Sequence, residues 1–154
     1  MGREIVFLIK ALLFGLAAII IIPKEFYKKY LVYGLFLGGL GDTAITLIGK
    51  WLNLFKYKNL GVFNILDWFS FWTPLAWVCV MMFFLYCLPL KRSVFYLYVV
   101  CYGVFGYFVG LTLENFDIYQ YMGFFRYLEP LLLAAWFYAA ASIYLRAEGK
   151  KLAP

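Results

Sequence analysis

Gly38-Gly39-Leu40-Gly41-Asp42-Thr43 places three glycines and a carboxylate inside an apolar run, Tyr30 to Ile48, that is long enough to cross a bilayer. An acid at that depth is strongly disfavoured unless it is neutralised, paired or wetted, so its default reading is functional. Asp42 lies seven residues before Gly49, which puts it roughly 10 Å below the boundary of a hydrocarbon core about 30 Å thick. So short a side chain cannot snorkel out. Asp42 is therefore expected to face the interior of a helix bundle and to find a partner there. Lys10 and Arg126 are the cationic candidates and Glu129 a competing acid.

Composition agrees with a lipid setting. Of 154 residues 66% are hydrophobic and 14% charged, with mean hydropathy +0.85, against roughly 45–50% apolar in soluble domains. Five apolar runs use most of the chain and leave no room for a separate soluble domain. The expected fold is all-α, a single polytopic transmembrane helix bundle over 1–154, with spans near 5–22, 30–48, 65–88, 93–113 and 122–145. Aromatic residues make up 23%, so bulky aromatic packing and interfacial belts are expected. The net charge of +6 falls in the turns, where it meets anionic headgroups rather than nucleic acid. Cys79, Cys87 and Cys101 have no paired framework or metal-ligand spacing and His is absent, so disulfides, metal and cofactor are not expected. The first run reaches Ile22-Pro23 without a small-residue cleavage site and is read as a mature helix.

Taken in order, the first span is interrupted only by Lys10. Its long stem snorkels to the interface, or it pairs with an acid on a neighbouring helix. Lys24 to Lys29 reads as a basic turn. In the second span Gly34 and Gly38 share one face at the spacing that lets helices approach closely in lipid, while Thr43 and Thr46 return their hydroxyls to the previous turn. Trp51 to Asn64 reads as a short interfacial helix followed by a turn, with Asn64 a candidate N-cap. In the third span Trp68 and Trp72 read as a belt, Asp67 as a first-turn acid favoured by the helix dipole, and Pro74 as a kink. Gly106 and Gly110 repeat the four-residue spacing in the fourth span. The echo of Pro23, Lys28-Lys29 and Tyr33-Gly34 in Pro89, Lys91-Arg92 and Tyr102-Gly103 reflects duplication, chance or shared topology. Glu114 to Tyr121 is an acidic, aromatic turn. Pro130 bends the fifth helix, or the backbone from Met122 to Leu128 is irregular, and the tail from Arg146 frays.

Five crossings put Lys10, Asp42, Asp67, Glu114, Arg126 and Glu129 at the same leaflet half, a one-sided polar cluster. The opposite side carries eight Lys and Arg against five (Arg3, Lys50, Lys56, Lys58, Arg126), which by the positive-inside rule places the N-terminus outside and the C-terminus in the cytoplasm.

The order of a spanning Asp42, the aromatic connection Trp51 to Asn64, Asp67 with Pro74, Leu88-Pro89, and Glu129-Pro130 with Trp136 resembles small multi-helix membrane proteins of spore-forming Gram-positive bacteria. The resemblance covers residues 42–145 and implies a bacterial cytoplasmic membrane location, but no activity. A rhomboid-type protease is excluded by the absence of His. Three functions fit the residues. The first is a non-catalytic accessory or assembly subunit, in contact with membrane lipids, other membrane subunits or further copies of itself. The second is a small transporter or ion-coupled permease using Asp42 and Glu129. The third is a lipid-processing enzyme, which lacks a metal motif or a nucleophile–base pair.

Overall fold

The computed structural model describes Gly2, residues 5–61 and residues 64–154, and five helices form its frame. They are α1 (Ile5–Ile21), α2 (Lys24–Trp51), α3 (Trp72–Tyr86), α4 (Arg92–Asn115) and α5 (Phe125–Ala147). α2, α4 and α5 are long and apolar enough to cross a membrane; α1 and α3 are apolar but shorter, at 17 and 15 residues. Arg3, counted in the charge bias, lies outside the described residues.

α3 is the central element. It packs against α1 and α2 on one side, and its Trp77 and Phe84 meet Trp136 and Phe137 of α5. Small residues make this closeness possible. A Cβ on Gly34 would come within 2.8 Å of the Val78 carbonyl oxygen, and one on Gly38 would press into the Trp77 carbonyl and lie 2.8 Å from the Met81 Cβ. Between α4 and α5 a Cβ on Gly103 would stand 2.8 Å from that of Ala134, and one on Gly106 would stand 2.7 Å from Leu133 Cδ1.

α2 is one continuous helix from Lys24, so residues 24–29 are its first turns rather than a free basic turn. Pro23 supplies the fixed φ that opens it. Within it, Gly34–Gly39 winds as a π-helix, an over-wide turn in which a hydrogen bond spans five residues instead of four. The Leu37 carbonyl accepts the Trp136 indole N–H at 3.0 Å, which ties this irregular turn to α5.

The connections at one end of the bundle depart furthest from expectation. The segment expected as an interfacial helix contains a strand, β1 (Phe55–Tyr57), antiparallel to β4 (Tyr119–Tyr121) with Phe55 opposite Tyr121 and Tyr57 opposite Tyr119. Alternation in Phe55-Lys56-Tyr57 and Tyr119-Gln120-Tyr121 puts apolar rings on the inner face and polar side chains outside, which a helix over these residues would not do. A hairpin, β2 (Asn64–Ile65) and β3 (Phe69–Ser70), occupies the start of the expected third span, so Asn64 is a strand residue and not an N-cap. Leu66 and Asp67 turn the hairpin with φ of 53° and 56°, closed by the Trp68 N–H donating to the Ile65 carbonyl at 2.9 Å. That is the backbone of a type I′ turn. α3 thus starts at Trp72, and Pro74 falls in its first turn, where a missing N–H costs no internal hydrogen bond and forces no kink. α5 begins at Phe125, five residues before Pro130, so it starts earlier than that proline.

At the opposite end the C-terminal tail does not fray. Arg92 N–H donates to the Ala153 carbonyl at 3.0 Å and Ala153 N–H to that of Leu90 at 2.8 Å. Lys29 pairs with Glu148, which also accepts from the Tyr33 hydroxyl at 2.9 Å, and the Tyr30 and Tyr144 hydroxyls meet at 2.9 Å. Two further tyrosines serve helix C-termini, Tyr27 donating to the Ile19 carbonyl and Tyr98 to that of Phe84, where orphaned carbonyls otherwise need water.

Candidate functional site

Three helices send an ionisable side chain to one small cavity of about 40 Å³ beneath the β1–β4 ribbon: Lys10 from α1, Asp42 from α2 and Glu129 from α5. Each is buried, at 7%, 6% and 7% exposure. Lys10 is there because Phe7, Lys10, Ala11 and Ala18 form the buried stripe of α1, the i, i+3, i+4 pattern of one helical face. Its ammonium is buried rather than snorkelled, and it lines the same cavity as Asp42 without a hydrogen bond to that acid among the described residues. Asp42 lies on the inner face of α2 with Thr46 and Gly49, directly after the π-turn. Glu129 faces α4 at Gly110, where a Cβ would lie 2.8 Å from its Oε2. Gly110 thus makes room for an acid as well as for a helix.

The polar contacts are uneven. The Tyr119 hydroxyl donates to Glu129 Oε1 at 3.3 Å, and the Tyr121 hydroxyl donates to Glu129 Oε2. Lys10 Nζ and Asp42 Oδ2 have no hydrogen-bond partner among the described residues, although the two face the same cavity. Tyr57 also lines it. Burial, then the charges of Asp42 and Glu129, push its hydroxyl pKa well above the ordinary 10. Burial does the same for Tyr119 and Tyr121, with Glu129 adding to it. All three therefore stay neutral donors at any physiological pH.

The remaining expected members lie elsewhere. Arg126 is exposed and pairs with Glu114 at 3.4 Å, so it is not Asp42's partner; it sits on the outer face of α5's first turn. Asp67 is exposed at the hairpin tip, not at a helix N-terminus. It borders a groove with Lys50, Lys56 and Trp68, where Lys50 Nζ stands 4.1 Å from the centre of a Trp68 ring. Tyr57, Tyr119 and Tyr121 escaped the sequence reading. Their signal was the two-residue alternation of Phe-Lys-Tyr and Tyr-Gln-Tyr, which strands use and helices do not.

No protein-family model, curated protein or solved structure matches this chain. What the site can do therefore rests on its own geometry. Two carboxyls, one amine and the phenols of Tyr57 and Tyr119 around a small cavity, with Tyr121 bonded to Glu129, form a set of proton donors and acceptors. They include no nucleophile–base pair, and among the described residues no cluster of His, Cys, Asp and Glu is arranged to hold a metal ion.

Proposed function

We propose that this chain is an integral protein of the bacterial cytoplasmic membrane, crossing it five times with the N-terminus outside. In this reading the buried Lys10, Asp42 and Glu129 centre is the proton- or cation-exchanging site of a small ion-coupled carrier. The sequence leads first to an accessory subunit; the buried charges favour the ion-coupled reading. Three apolar helices have spanning length. α1 and α3, at about 26 and 22 Å by the usual rise per residue, fall only modestly short of a 30 Å core, a mismatch that costs fractions of a kcal/mol per Å.

The observation that carries the proposal is the convergence of Lys10, Asp42 and Glu129 from three helices on one cavity, with neither Lys10 Nζ nor Asp42 Oδ2 hydrogen-bonded among the described residues. Structural polar groups in a protein interior are nearly always hydrogen-bonded, and buried exceptions call for an explanation. Intramembrane ionisable residues commonly mark proton or ion pathways. The cavity, at about 40 Å³, exceeds the roughly 10–15 Å³ that a water needs and is too small for an organic solute. The exchanged species is thus a proton or a monatomic cation. Asp42 and Glu129 hold it, Lys10 repels a second cation, and Tyr57, under the influence of both acids, offers a neutral hydroxyl between them.

Proteoliposomes containing the purified chain and an internal pH dye test this under an imposed potential. Proton flux is expected from the wild type and from Glu114→Gln, and is expected to be lost in Asp42→Asn and Glu129→Gln. Wild-type flux no greater than that of protein-free vesicles would overturn the proposal. If a second membrane protein then co-purified at fixed stoichiometry, the assembly-subunit reading would take its place.

A further inference from the structure

A second space adjoins the charged cavity. The groove bordered by Lys50, Lys56, Asp67 and Trp68 has a volume of about 270 Å³, and the exposure of Lys50, Lys56 and Asp67 places its mouth at the surface. Thr46, Phe55 and Tyr57 line both this groove and the inner cavity, so they stand between the two. We propose that the groove is the mouth of a proton path into the cavity, with the Thr46 and Tyr57 hydroxyls as its relay and Lys50 and Lys56 as its barrier to metal cations.

The sequence of α2 lays out the path. Asp42, Thr46 and Lys50 follow at intervals of four residues, the spacing that sets side chains in one row along a helix. Asp42 lines only the cavity, Thr46 lines both spaces and Lys50 lines only the groove. The partition itself is thin. A Cβ on Gly49 would strike the Phe55 ring, so glycine there lets the ring close directly on the α2 backbone. Beside it the Tyr57 hydroxyl is hydrogen-bonded to Thr46.

A pair of hydroxyls discriminates between ions. Each oxygen accepts one proton while its own O–H passes another on. The pair thus hands a proton from groove water to cavity water, and on to the Asp42 carboxylate, with neither hydroxyl left charged. Rotation of the two O–H bonds resets the relay. A sodium or potassium ion would have to part Thr46 from Tyr57, after passing two lysines set against one aspartate. The exchanged species is then a proton, which narrows the ion-exchange reading above and rests on it.

The experiment uses the full chain in proteoliposomes under an imposed potential, read with an internal pH dye and, separately, by uptake of radioactive sodium. Proton flux is expected to fall about tenfold or more in Thr46→Val and in Tyr57→Phe, each of which loses one hydroxyl and little volume, and to return in Thr46→Ser. Sodium uptake is expected to stay at the level of protein-free vesicles. The two variants break the pair from different elements, so one remains readable if the other fails to fold. Wild-type proton flux that survives either substitution in folded protein, or equal losses in Thr46→Val and Thr46→Ser, would overturn the relay and leave the ion-exchange reading standing. Sodium uptake alongside proton flux would overturn the barrier assigned to the lysines. Vesicles with no proton flux from the wild type would remove the ion-exchange reading and the path with it.

Discussion

Glu129 accepts from Tyr119 and Tyr121 in a buried setting, so removing its oxygens orphans two hydroxyls at once. Glu129→Leu is expected to destabilise the protein by about 2–5 kcal/mol, and Glu129→Gln, which keeps one acceptor, by about 1 kcal/mol. Thermal unfolding in one detergent distinguishes these, and equal losses would show that the tyrosines do not depend on the carboxylate. Glycine contacts give a second test with opposite signs. Gly38→Ala drives a methyl into the Trp77 backbone and Met81 and should cost about 1–3 kcal/mol. Gly15→Ala meets only Cys79 Sγ at 3.9 Å and should stabilise α1 by about 0.5 kcal/mol, since alanine is the better helix former. That Gly34 and Gly38 serve close packing was legible from their spacing. That Gly110 accommodates an acid was not, because its neighbour Glu129 comes from another helix and no local pattern links them. Lys10 was half legible. Its position on the Phe7, Ala11, Ala18 stripe marks the inward face, but its length alone equally permits an outward one.

The elements carry the next set of differences. α1, α4 and α5 lie within a few residues of the spans expected for them, because each is a long apolar run with a clear stop. β1 and β4 were hidden because each is three residues long and gains its stability from the other strand, about sixty positions away. A strand that short has no local signature strong enough to outweigh the surrounding apolar bias. The π-turn in α2 was hidden too, since glycines favour close approach in any helical winding, and only the contact with Trp136 distinguishes this one. The ribbon can be tested by hydrogen exchange. Lys56 faces Gln120 in the register, and the flanking bonds, Met122 N–H to the Leu54 carbonyl and Lys58 N–H to the Ile118 carbonyl, put that pair in a bonded position. Lys56→Pro is thus expected to speed exchange at Gln120 and its neighbours while α4 stays protected; unchanged protection at residues 119–121 would refute the pairing. At the other end, the Lys29 hydrogen bond, followed by that of Tyr33 and by the charges of Lys29 and Lys150, holds the Glu148 carboxyl below its ordinary 4.5. A depressed folded-state value stabilises above pH 4.5 and loses that contribution as pH falls through the folded value. Acid should therefore destabilise the wild type more steeply than Glu148→Gln below pH 4.5. Salt should shrink the difference, because the pair is partly exposed.

For the whole molecule the expected orientation follows from the distribution of lysine and arginine, and a reporter fused after Pro154 tests it. A cytoplasm-active reporter should work there, and activity of a periplasm-only reporter would reverse the assignment. The helix bundle was legible at this scale because hydropathy alone sets its class. The closure of its ends was not, since it depends on pairs far apart in the chain: β1 with β4 at one end, and Ala153 with Leu90 and Arg92 at the other. The first of these closures also fixes an order of events during synthesis. Phe55 and Tyr57 emerge from the ribosome about sixty residues before Tyr119 and Tyr121, an interval of roughly 3 to 12 seconds at ordinary elongation rates. Throughout it Lys10 and Asp42 have been made while their lid and Glu129 have not, so the charged centre stays open until the last helix follows. A chain stalled after Asn115 would hold four of the five helices with its costliest side chains uncovered, a physical mark that separates unfinished copies from finished ones.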